Sequence, residues 1–260
     1  MNWDLFLNLF HIAVLLVVFS GTLRLIETDR HSLKAALFAF AIASVLLSDI
    51  YWLVYGLLRP DTRMPFAANE IGEWAFFLLL GASLTTRRPI RFRDAAPQIV
   101  CAVLFSAASA ALWIAWSGEW VQDILTGASF GYLLCAIVSR IKRENAFSGA
   151  MWRFCGIICA VLIAAQTATF FAPEPLAKPL DLFCYALLFA GAAFFFVGAL
   201  LSFGKSASPA RCVCRTFAAF AWTVTALYMS SGAFYHAAMA LTTLSIFLMY
   251  LALRKEVRAA

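Results

Sequence analysis

Residues 216–253 read TFAAFAWTVTALYMSSGAFYHAAMALTTLSIFLMYLAL, 38 residues between Arg215 and Arg254 without a single Asp, Glu, Lys or Arg. A membrane-spanning helix takes about 20 largely apolar residues. The stretch is therefore too long for one crossing and fits two, joined at Ser230-Ser231-Gly232, where small polar residues and a glycine mark a turn. Reading it as two crossings instead of one decides on which side of the membrane the chain ends.

Working outward, uncharged runs at 5–23, 95–118, 154–173 and 182–204 each give one span, and 35–58 gives another, interrupted only by Asp49. Two further spans are less clean. Residues 74–86 are too few to cross, so that helix must reach back to about Ala67 and take in Asn69, Glu70 and Glu73. Likewise 124–139 is short, and its span is expected to start near Trp120 and include Asp123. The result is an all-α, polytopic integral membrane bundle of about nine helices, a single transmembrane domain over 1–260 in which residues 1–25 are a retained first span.

Composition points the same way. The chain is 63% hydrophobic and 13% charged, with mean hydropathy +0.85, against about 45–50% and about 25% for soluble domains. Its net charge of +6 does not indicate nucleic acid, because Lys and Arg fall in short clusters between apolar runs. With nine spans, 17 of the 20 Lys and Arg lie at one end of the bundle and only Arg59, Arg63 and Lys178 at the other. Cytoplasmic loops are enriched in basic residues, so the N-terminus is expected outside and the C-terminus in the cytoplasm, in the plasma membrane.

Ionisable residues inside spans are costly and usually face the bundle interior or a wet cavity. The spans contain His11, Asp49, Glu70, Glu73, Asp123 and His236, all in the outer half, and the basic half is expected to hold no buried acid. Asp49 is the deepest. Glu70 and Glu73, at i and i+3, share a helix face with Gly81, where another backbone would approach closely. Trp52 and Trp74 lie beside these acids and would serve either as interfacial anchors or as walls of a cation cage. Asp123 also admits an interfacial role, and His236 either a local hydrogen bond or a proton relay.

No cofactor or metal is expected. Glu70-x-x-Glu73 lacks the histidines of a helical zinc site, and Gly204-Lys205-Ser206 lacks the earlier glycine of a phosphate loop, residue 199 being Ala. Cys101, Cys135, Cys155, Cys159 and Cys184 fall within spans, and Cys212-Val213-Cys214 is expected in a basic loop as two solvated thiols. Gly81-Ala82 and Gly191-Ala192, 110 residues apart, raise the expectation of a parallel repeat of spans 1–4 in spans 5–8.

Functionally, the acids and aromatics are expected to form an outward-facing pocket for a cationic solute or a coupling proton, in a small permease-like transporter. Its binding residues would be Asp49, Glu70, Glu73, Asp123, His236, Trp52 and Trp74. A non-enzymatic sensory or accessory subunit, acting through a membrane protein partner or a homo-oligomer within the lipid bilayer, is the alternative. An intramembrane enzyme ranks third, since no nucleophile is legible.

Overall fold

The computed structural model describes residues 3–28, 32–59, 68–86, 89–204 and 207–259. These form nine helices and no strand: α1 (Trp3–Thr28), α2 (Leu33–Leu58), α3 (Ala68–Thr85), α4 (Phe92–Ser117), α5 (Trp120–Arg143), α6 (Gly149–Phe171), α7 (Glu174–Leu201), α8 (Pro209–Tyr228) and α9 (Gly232–Arg258). Seven of the nine are long and apolar enough to cross a membrane; α3 and α8 fall short. The chain is a multi-pass integral membrane protein.

The two exceptions have different causes. α3 opens with Asn69, Glu70 and Glu73, which lower its apolar content. α8 is the central helix. Helices α9, α1, α2, α3, α5, α4, α6 and α7 pack each on the next, α7 closes the ring on α9, and α8 sits inside against α5, α7 and α9. From Cys212 to Ala226 every residue of α8 except Arg215 is buried. A helix surrounded by protein needs no apolar face for lipid, and small residues let its neighbours approach. Its buried hydroxyls are satisfied at short range, Thr216 donating to the Cys212 carbonyl and Thr225 to that of Ala221.

The outer helices bury one stripe each. In α1 this is Leu7, His11, Leu15, Val18, Thr22 and Leu25, at the three-to-four spacing of a single helix face. The opposite face leaves Leu9, Leu16 and Val17 exposed, as do Phe40 and Leu47 on α2, and these side chains meet lipid. Ser208 begins α8 by accepting from the Arg211 amide with Pro209 in the first turn, seven residues before the apolar run starts at Thr216, so Cys212 and Cys214 are buried and not solvated loop thiols.

Glycines place aromatic rings between helices. A Cβ built on Gly81 would lie 2.5 Å from the Tyr132 ring of α5, and one on Gly191 would lie 2.4 Å from the Trp222 ring of α8. The space at Gly81 thus receives a ring and not a backbone. The two Gly-Ala pairs do not mark a repeat: α1 packs on α2 while α5 and α6 are not a packed pair, and α7 packs on α8 while α3 and α4 do not.

The basic end is closed by a partly buried acid, at an end where no buried acid was expected. α9 continues past Leu253, so Glu256 turns inward and bridges Lys34 of α2 and Arg140 of α5. Arg140, counted with the loops from sequence, is 7% exposed. Nearby, Arg143 donates to the Pro89 carbonyl at 2.9 Å and Arg211 to that of Glu144 at 3.3 Å.

Candidate functional site

At the opposite end, α1, α2, α3, α8 and α9 bring ionisable side chains together. Glu73 of α3 accepts a hydrogen bond from the Tyr228 hydroxyl at the end of α8, and Asp49 and Glu70 both lie within electrostatic reach of its carboxyl. Glu70 is buried. Tyr235, one turn into α9, is within reach of Asp4, Asp49 and Glu73. Three of the acids singled out from sequence therefore converge, because the α2–α3 pair is packed along its length. Gly72 permits this approach: a Cβ there would lie 2.8 Å from the Ser44 carbonyl and 2.9 Å from the Ser48 Cβ. Ser48 completes the seam by donating to the Asn69 carbonyl at 2.8 Å.

Asp49 faces a partner from α1. His11 Nε2 lies 3.3 Å from Asp49 Oδ2, and His11 Nδ1 lies 2.6 Å from the Thr243 hydroxyl oxygen of α9. Thr243 gives its one hydrogen to the Met239 carbonyl at 2.8 Å. The Thr243 oxygen is then an acceptor, and Nδ1 of His11 is the donor. A neutral imidazole so fixed has a bare lone pair on Nε2, facing a carboxylate. Attraction between the two needs one proton, carried either by His11 as imidazolium or by Asp49 as a carboxylic acid.

No family model, no curated protein and no solved structure matches the chain. Its chemistry is read from its own side chains.

A second histidine–carboxylate pair joins α1 to α9, with α1 now supplying the acid. His236 Nε2 of α9 lies 2.7 Å from Asp4 Oδ1 of α1, in a more exposed position than the His11–Asp49 pair. α1 thus contributes one acid and one base, each answered from a neighbouring helix. Among the described residues, no three His, Cys, Asp or Glu side chains are grouped to hold a metal ion.

The other residues picked out from sequence stand apart from this cluster or are committed elsewhere. Trp74 donates its indole N–H to the Thr126 hydroxyl of α5 at 2.9 Å. Trp52 is 45% exposed on the lipid face. Asp123 accepts from Ser117 across the α4–α5 turn at 2.5 Å. Sequence reasoning gave little weight to His11 and none to Tyr228, Thr243 or Trp113, whose ring packs on Tyr228 with centroids 5.1 Å apart. The buried Trp113 Nε1–H has no partner among the described residues. A histidine in a span was the one signal available for this group.

Proposed function

We propose that this protein is a permease-like transporter in which the His11–Asp49 pair, with Glu73 beside it, carries a coupling proton. The observation that carries the reading is the hydrogen-bond chain from Met239 through Thr243 to His11, which turns the Nε2 lone pair of a neutral ring toward Asp49 Oδ2, a buried oxygen with no hydrogen-bond partner among the described residues. Loss of that proton sets a carboxylate against an imidazole lone pair, at an interface where unbalanced charge is expensive. The seam between α1 and α2 then loosens, so protonation is coupled to helix packing.

Near Asp49 stand Glu73 of α3, with Glu70 beside it, and Tyr235 of α9, with Asp4 and His236 in the more exposed pair. All but the histidines and the tyrosine are acids, which favours retention of a proton or a small cation over an anion. A proton fits better than an organic cation, since Trp52 faces lipid and the Trp74 N–H is held by Thr126. With the basic end in the cytoplasm, the cluster is reached from outside the plasma membrane.

The test is solute-driven proton movement in proteoliposomes loaded with a pH-sensitive dye, using a panel of organic amines, amino acids and monovalent cations. The expected result is a pH change driven by one solute class and abolished by Asp49→Asn. Full solute-driven proton movement in Asp49→Asn and His11→Gln would overturn the assignment.

A further inference from the structure

The ring of helices is thin between α4 and α6, and a cavity of about 610 Å³ opens there, bounded inside by α5, α7 and α8. That size is within the roughly 300–1,000 Å³ of small-molecule sites. The lining is apolar apart from Gln98, Thr225 and the thiols of Cys101, Cys155 and Cys159. On α4 the lining runs from Pro97 to Ala108, about 16 Å at 1.5 Å per residue. One leaflet of a hydrocarbon core about 30 Å thick has nearly the same depth. The cavity starts near the basic end, reaches past mid-bundle to Thr225 of α8, and faces the bilayer sideways, past the exposed Leu104, Cys101 and Ala160.

Gly156 on α6 supports an occupant. Glycine is a poor helix former, and the glycines at 81, 127, 131 and 191 are each explained by a neighbour that a Cβ would strike. Gly156, like Gly56, Gly149 and Gly198, would place a Cβ with nothing within 4 Å, but among these four it is the one that lines the cavity. Its missing side chain leaves the cavity mouth open. Gln98 adds a polar point at the cavity wall: its side-chain oxygen is buried with no hydrogen-bond partner among the described residues, an acceptor that a headgroup hydroxyl can fill. Arg153 continues the Gly156–Ala160 edge of α6 by one turn toward the basic end, in the i, i+3, i+7 relation.

We propose that this cavity binds an anionic membrane amphiphile, its acyl chain between α4 and α6 and its headgroup at Arg153. The chain enters laterally from the leaflet that the cavity matches in depth. Basic side chains attract anionic headgroups at this level. The site is separate from the His11–Asp49 cluster, and its ligand is a lipid and not the transported solute.

Native mass spectrometry of the full-length protein with phosphatidylglycerol and phosphatidylcholine of equal chain length tests this. Wild type should bind phosphatidylglycerol in preference. Gly156→Phe, which fills the mouth, should weaken binding at least tenfold, while Gly198→Phe, at a glycine with equally open surroundings outside the cavity, should leave it unchanged. Arg153→Gln should remove the preference between headgroups. Independently of any variant, bound phosphatidylglycerol should slow N-ethylmaleimide alkylation of Cys159. Equal binding by wild type and Gly156→Phe, no headgroup preference in wild type, or a Cys159 rate insensitive to lipid would overturn the proposal.

Discussion

Glu256→Gln isolates what holds the basic end together. One carboxylate there answers two cations on different helices, Lys34 of α2 and Arg140 of α5, with the Lys34, Glu256 and Arg140 side chains 17%, 19% and 7% exposed. The amide keeps the shape and removes the charge, leaving an ammonium and a guanidinium facing each other. Breaking a buried ion pair by removing one partner costs about 3–5 kcal/mol. Lys34 and Glu256 retain some solvent, which places the cost near the bottom of that range, about 3 kcal/mol. For a chain of this size that is roughly 6–12 °C in Tm, readable by thermal unfolding in detergent. Lys34→Met added to Glu256→Gln should recover part of the loss, because one of the two unbalanced cations is gone. A Glu256→Gln variant within about 2 °C of wild type, the range of an ordinary surface change, would refute the view that the triad is buried and energetically coupled.

Two other outcomes follow from the packing. Gly191→Leu forces the Trp222 ring off its seat and breaks its 2.8 Å bond to the Leu188 carbonyl, so it should destabilise by about 1–3 kcal/mol, with a shift in tryptophan fluorescence as the second readout. Asp123→Asn, whose partner Ser117 is exposed at the α4–α5 turn, should change stability by no more than about 0.5 kcal/mol and leave proton-coupled activity intact.

The helices were legible because what ends them is local. α3 begins at Ala68 and α5 at Trp120, where the uncharged windows required them to start, and the turn at Ser230-Ser231-Gly232 separates α8 from α9 with Gly232 at φ 56°. A glycine adopts that left-handed backbone at little cost. What sequence left open is helix order, and the site depends on it. His11 meets Thr243 across 232 positions, Tyr228 meets Glu73 across 155, and Lys34 meets Glu256 across 222. The acidic cluster was foreseeable in part because Asp49, Glu70 and Glu73 sit on consecutive helices, which pack together when the connection is short. Its bases and hydroxyls come from α1, α8 and α9, and no spacing rule reaches that far. α8 shows the converse limit: from sequence it was one more uncharged span like its neighbours, and only the packing shows that it is the helix surrounded by the others.

The transporter proposed above rests on one proton shared by His11 and Asp49. Infrared difference spectroscopy of the reconstituted protein across pH tests this sharing by following the carboxylic-acid and imidazole bands together. Wild type should show one single-proton transition that involves both groups, is lost in Asp49→Asn, and is altered in Thr243→Val, which removes the acceptor fixing Nδ1. Independent titration of His11 with Asp49 ionised throughout, unchanged by either substitution, would contradict it.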